Sequence, residues 1–210
     1  MRKIITKDSS ITFHNKEFDE TYHSVSGAKE EALKKFILPS LENYEIKGKI
    51  RILDVCFGLG YNSAAAIDEL KNCEIEIIAL ELDKEILNKI LEINADFDSY
   101  EIIKEVAKNH EYEKDNIKIK LILGDAVKTI KNLKEKFDFI FHDPFSTKKM
   151  PEFWTEDFFK EEYKLLKKSG ILTTYSCAKF VRKNMKRVGF EVKDVPPVGR
   201  KSPSTLSIKQ

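Results

Sequence analysis

A chain of 210 residues with 41% hydrophobic and 34% charged side chains can bury the core of one domain and is neither disordered nor fibrous in composition. No apolar run approaches the roughly 20 residues needed to span a bilayer, and the start Met1-Arg2-Lys3-Ile4-Ile5 carries no secretory leader, so a cytoplasmic protein without membrane contact is expected. The formal net charge is +2, yet residues 145–210 hold 15 Lys+Arg against 7 Asp+Glu, which puts +8 on that third and −6 on the rest. Such a basic end is either an RNA-backbone footprint or lysine-rich solubility.

Residues 2–24 read as a hairpin, with Ile4-Ile5 and Ile11-Thr12-Phe13 as strands around the turn Asp8-Ser9-Ser10. Ser26 is the expected cap of a helix with Ala28, Ala32, Leu33, Phe36 and Ile37 on one face and Pro39 at its end. Strand and helix then alternate. Strands are expected at Lys49 to Asp54, Glu74 to Glu81, Ile117 to Leu123, Phe137 to Phe141 and Gly170 to Tyr175, with two more near 190–195 and 205–208. Helices are expected at Asn62 to Leu70, Asp83 to Ile93, 97–109, 126–133, 156–167 and 178–187. Repeated βα units with apolar strands predict an α/β fold whose mostly parallel sheet is doubly wound, with a small N-terminal β extension. The chain reads as a single domain, residues 1–210, with 46–210 as a Rossmann-like core.

At the first strand-to-helix turn stands Asp54-Val55-Cys56-Phe57-Gly58-Leu59-Gly60-Tyr61-Asn62-Ser63. Gly58 and Gly60 permit tight turning and close approach by a cofactor. Ser63 replaces the third glycine of a dinucleotide fingerprint, which favours a cofactor with a compact amino-acid tail over a pyrophosphate. Glu81, at the next strand end, suits two ribose hydroxyls, or is a solvated carboxylate. Asp125 suits an adenine amino group, or caps a helix. Three such sites at successive strand ends favour S-adenosylmethionine and match the class I methyltransferase layout.

The fourth strand ends in His142-Asp143-Pro144-Phe145-Ser146, similar to the [D/N]-P-P-[Y/F] loop of methyltransferases acting on planar amines. There Asp143 would accept an amine hydrogen and Phe145 would stack on a base, unless the motif is only a capped turn. His142 and Asp143 lack further ligands nearby, so no metal is expected. Trp154 is either a base platform or loop packing. Lys148 and Lys149 follow Phe145; Arg182, Lys183, Lys186 and Arg187 make a basic helix face; Arg200 and Lys201 make a basic turn. Each can meet phosphate or merely solvent.

A longer pattern joins these pieces: Tyr22-His23-Ser24, Gly27-Ala28 and Glu31, the glycine turn, His142 to Thr155, Thr174-Tyr175-Ser176, Phe180-Val181-Arg182 and Gly189-Phe190. Over nearly the whole chain it resembles the methyltransferase domain of the MnmC family. The resemblance implies S-adenosylmethionine-dependent N-methylation of the 5-aminomethyl group of (2-thio)uridine at the tRNA wobble position. It also implies a stand-alone form without the FAD oxidase half. By motif, Gly58, Asn62, Glu81, Asp125 and Pro144 would hold the cofactor, Tyr22 and His23, within a 1–45 segment, would close over it, and Asp143 would face the amine. Thr147 replaces an expected proline, and Arg200-Lys-Ser-Pro-Ser-Thr205 departs from the family's usual segment. The alternatives are a methyltransferase for adenine or a protein amide, a non-catalytic RNA-binding module, and an aminopropyltransferase, the last expected to need a more acidic cleft.

Overall fold

The computed structural model describes residues 1–210. The N-terminal layer is a three-stranded antiparallel sheet of β1 (Arg2–Ile5), β2 (Ile11–Asn15) and β3 (Glu20–Thr21), so the expected hairpin gains a third, two-residue strand. Next come α1 (Ala28–Glu31), a π-helical stretch (Ala32–Ile37) and α2 (Leu38–Glu42). Two expectations fail here. Ser26 is not the cap; Gly27 holds that position, and the Ser26 hydroxyl donates to Gly199 O at 3.1 Å. Pro39 does not end the helix but sits near the start of α2. Proline has no N–H to bond back, and the Leu38 N–H reaches five residues back to Leu33 O, so the wider turn carries the chain past it.

The core alternates β4 (Lys49–Val55), α3 (Tyr61–Glu69), β5 (Glu74–Glu81), α4 (Lys84–Leu91), α5 (Tyr100–Asn109), β6 (Glu111–Lys114) and β7 (Ile117–Leu123). It continues with α6 (Ala126–Thr129), β8 (Phe137–His142), α7 (Glu156–Leu165), β9 (Leu166–Thr174), α8 (Lys179–Val188), β10 (Phe190–Val195) and β11 (Ser204–Lys209). The sheet order is β10-β11-β9-β8-β4-β5-β7-β6. Five parallel strands occupy its centre, and the antiparallel β6 and β10–β11 flank them.

Burial follows composition. Every residue of β8 is buried, because helices cover both faces of the sheet there. In β7, by contrast, Lys118 and Lys120 alternate with apolar residues and face solvent. One apolar cluster packs α3, α5 and the π-helical stretch on one face, and a second packs α7, α8 and Trp154 on the other. The winding runs outward from β4 to β5 and β7, then returns to β8 on the other side of β4. That reversal opens a crevice at the carboxyl ends of β4 and β8, the usual ligand position in such sheets. No helix is long and apolar enough to cross a membrane.

Candidate active site at the carboxyl edge of the sheet

A cavity of about 610 Å³ lies over that crevice, within the range of small-molecule sites. Its floor is made by strand ends and its roof by the N-terminal layer. Gly58 lies at φ +55°, and a Cβ there would stand 3.3 Å from the Tyr22 ring. The loop before it is tightly wound: Cys56 sits at φ +67°, a costly conformation for a side chain with a Cβ. Glu81 turns back under the loop and accepts N–H bonds from Gly58 (2.7 Å), Leu82 (2.8 Å) and Asp83 (2.8 Å). Burial raises its carboxyl above the usual range against those three bonds. Asp125 lines the far wall and accepts from Val127 N at 3.0 Å, so it caps α6 while facing the cavity.

Asp143 follows β8. Its N–H donates to Val55 O at 3.2 Å, and its carboxylate accepts from the Asn62 amide at 2.9 Å. Burial pushes this carboxyl well above the usual range; the Glu31 charge adds to the rise and the Asn62 bond opposes it. Pro144 lines the cavity and accepts from the Tyr175 hydroxyl at 3.0 Å. Phe145 stands 5.0 Å from the Phe18 ring and 5.1 Å from the Tyr22 ring.

The roof is latched at several points. The Tyr22 hydroxyl donates to Asp83 at 2.5 Å, and Glu20 accepts from Ser146 N at 2.8 Å and from the Ser146 hydroxyl. His23 Nδ1 lies 2.7 Å from the Tyr22 carbonyl, which can only accept; that nitrogen therefore carries the proton, and Nε2 is a bare acceptor. Nε2 is buried without a partner at the cavity wall, and burial holds the imidazole down at about 4, hence neutral.

Not every expected residue is here. Gly60, at φ +72°, does not line the cavity; a Cβ there would meet Ile103 Cγ2 at 2.5 Å and Phe57 Cζ at 2.7 Å, so it serves the packing of α3 on α5. Asn62 reaches Asp143 rather than the cavity. Trp154 is 1% exposed, donates from Nε1 to Phe145 O at 3.1 Å and meets the His142 ring edge-on, so it props the Asp143 loop from beneath and offers no face to a base. His142 pairs with Glu162 at 2.7 Å, not with Asp143, and no group of three His, Cys, Asp or Glu side chains is placed to hold a metal. Lys148 is exposed outside the cavity, and Arg182 is turned onto Asp194, Thr205 and Ser204. Arg200 does line the cavity, fixed by bonds to the Tyr175 and Pro203 carbonyls.

Sequence reading missed Lys35, which is 3% exposed, lines the cavity and pairs with Glu31. The signal was present: an i,i+4 Glu/Lys pair whose neighbours Ala32 and Phe36 are both apolar. The acidity of the cleft was also missed. Glu20, Glu31, Glu81, Asp125, Asp143 and Glu152 line it, against only Lys35 and Arg200.

S-adenosylmethionine fits these residues. The left-handed Gly58 leaves room for close approach, Glu81 offers the cavity a carboxylate suited to ribose hydroxyls, and His23 Nε2 is a buried acceptor without a partner.

The profile of a family described as S-adenosyl-L-methionine-dependent methyltransferase matches residues 89–210. MnmC2 from Aquifex aeolicus superposes with a TM-score of 0.82 at 36% identity, over 98% of this chain and 69% of that one. A spermidine synthase from Thermotoga maritima shares the fold alone, with a TM-score of 0.58 at 15% identity over 100% of this chain and 72% of that one. A Methanocaldococcus jannaschii protein is 36% identical over 97% of this chain. The tRNA 5-methylaminomethyl-2-thiouridine biosynthesis bifunctional protein MnmC of Leptospira interrogans is 26% identical over 94% of this chain. The chain spans 58% of the first of these two relatives and 34% of the second. It belongs to the MnmC family of S-adenosylmethionine-dependent methyltransferases.

Proposed function

We propose that this methyltransferase N-methylates the 5-aminomethyl group of (2-thio)uridine at the wobble position of tRNA. The observation that carries the reading is Asp143, a half-buried carboxylate at the cavity floor held by Asn62 and followed by Pro144 and Phe145. When bound, S-adenosylmethionine supplies a methyl group already activated on a sulfonium. What remains for the protein is positioning, for which aligned reactants offer effective molarities of ~10⁵ M or more.

An aminomethyl group arrives as a cation and must be neutral to act as a nucleophile. The carboxylates of the wall favour its entry, and Asp143 accepts a hydrogen bond from its nitrogen. The raised affinity of Asp143 for a proton suits it to take the one the amine gives up. Phe145, with Phe18 beside it, is the aromatic surface against which the uracil ring rests. The name of the Leptospira relative includes 5-methylaminomethyl-2-thiouridine, the product this reaction would give, which agrees with an amine-accepting cavity.

The test incubates the purified protein with methyl-labelled S-adenosylmethionine and tRNA from cells lacking the wobble methyltransferase, then resolves the digested nucleosides by mass. Label in methylaminomethyl(2-thio)uridine is expected. Label in another nucleoside, or none with the cofactor still bound, rejects the substrate and leaves the family assignment untouched.

A further inference from the structure

We infer that Lys35 and Glu31, with His23, form a clamp for the α-amino-acid tail of the cofactor, in which Lys35 reads the carboxylate. The proposal concerns the cofactor alone and stands apart from the choice of nucleoside.

The geometry divides the cavity into two ends. At one, Glu81, Gly124 and Asp125 offer acceptors to a nucleoside. At the other, beside the Gly58 loop, stands a pair of opposite charges that solvent scarcely reaches: Lys35 is 3% exposed and the Glu31 side chain 14%. A buried ion pair loses solvation for both partners and is weak support for stability alone. Its members also retain unused bonding capacity. The Lys35 ammonium has three donors and spends one on Glu31. One Glu31 oxygen accepts from Lys35 and the other from Ser24 N at 2.9 Å, which leaves a lone pair on each. Burial alone would raise the Glu31 carboxyl, but Lys35, His23 and the Ser24 N–H together hold it below the usual range, so it is charged. His23 Nε2 adds a buried, neutral acceptor, and its ring carbon Cε1 lies 3.9 Å from the Cβ position at Gly58.

Donors and acceptors thus stand side by side at the wall of a cavity whose other end suits a nucleoside. A zwitterion with carboxylate and ammonium on one carbon matches them: carboxylate to Lys35, ammonium to Glu31 and His23. The π-helical stretch bears on this, since Lys35 lies within it and such widened turns recur at functional sites. The consequence is specificity. The spermidine synthase fold is shared, but a protein that reads the carboxylate rejects a decarboxylated cofactor.

Isothermal calorimetry on the whole chain tests this with three ligands: S-adenosylhomocysteine, its decarboxylated analogue S-adenosyl-3-thiopropylamine, and 5′-methylthioadenosine, which lacks the tail. The wild type is expected to prefer S-adenosylhomocysteine over the decarboxylated analogue by about 10- to 100-fold, the range of one hydrogen bond between charged groups. Lys35→Met should bring that preference to within about three-fold and leave 5′-methylthioadenosine affinity unchanged. Should the lone Glu31 charge prevent folding, Lys35→Met combined with Glu31→Gln removes both charges and is read in the same way. Equal wild-type affinity for the first two ligands overturns the proposal. So does a variant that keeps the preference, or one that loses all three ligands together.

Discussion

Asp143 carries two properties that pull in opposite directions. Its place at the cavity floor suits it to accept from the amine of the proposed reaction, and desolvation there makes its charge expensive. Asp143→Asn retains the shape and a carbonyl that can still bond Asn62, but cannot take a proton. Methyl transfer is expected to fall about 10²- to 10⁴-fold, the usual scale of a lost general base, with S-adenosylhomocysteine affinity little changed. Label transfer and calorimetry on one preparation separate the two effects. An unchanged rate would remove any role for the Asp143 charge. Next to it, His142 and Glu162 are both 0% exposed, and Trp154, Phe158 and Phe159 ring the imidazole. Glu162→Ala leaves that imidazole without its partner, and urea unfolding should show a loss of about 3–5 kcal/mol. The double change His142→Leu with Glu162→Leu should cost less than the single one, since no polar group is then stranded. A single variant as stable as wild type would mean that water reaches the pair.

At the scale of elements, the two glycines of one loop have separate duties. Gly58→Ala and Gly60→Ala both place an L-residue at positive φ, a cost of about 1–2 kcal/mol. Only at Gly60 does the new methyl strike packed neighbours, Ile103 and Phe57. Overpacking there should add about 1–3 kcal/mol more, read as a lowered urea midpoint, whereas Gly58→Ala should lose cofactor affinity at a smaller stability cost. Equal losses of both kinds in both variants would refute the division. From spacing alone the two glycines look alike, because what separates them is tertiary: α5 packs on one and the roof on the other. The same distinction governs what was legible elsewhere. The βα alternation, the strand ends at Glu81 and Asp143 and the closing β10–β11 hairpin stand out because apolar runs and turn residues mark them locally. Strand β3 has two residues and β6 reads Glu-Tyr-Glu-Lys, too short and too polar for a periodic signal, although Asp115-Asn116 does mark the hairpin turn after β6. Lys35 is marked in the sequence only by its i,i+4 pairing with Glu31 between apolar neighbours, and that pattern does not say that a roof will cover it.

Across the whole molecule, burial raises the carboxyls of Asp54, Glu81, Asp143 and Glu162, all gathered under the centre of the sheet's carboxyl edge. Stability is given up there for a preformed acidic site, a common trade at active centres. Asp54 shows the sign most clearly. It is 0% exposed, its Oδ2 accepts from the Ser63 hydroxyl at 2.6 Å, and its Oδ1 has no partner. Burial pushes its carboxyl from 3.8 up to about 7; the Ser63 bond opposes the rise and the Glu81 charge adds to it. A carboxyl that holds its proton more tightly in the fold than in the unfolded chain contributes stability that is full below 3.8. That contribution is lost as pH rises from 3.8 to about 7 and stays lost above it. Asp54→Asn still accepts from Ser63 and never ionises. Its stability relative to wild type should therefore climb across that window, at no more than about 1.4 kcal/mol per pH unit, and level off above it. Urea midpoints of the two proteins over a pH series read this difference directly. A pH-independent difference would show that Asp54 ionises as freely in the fold as in the unfolded chain, and that solvent enters the floor of the site.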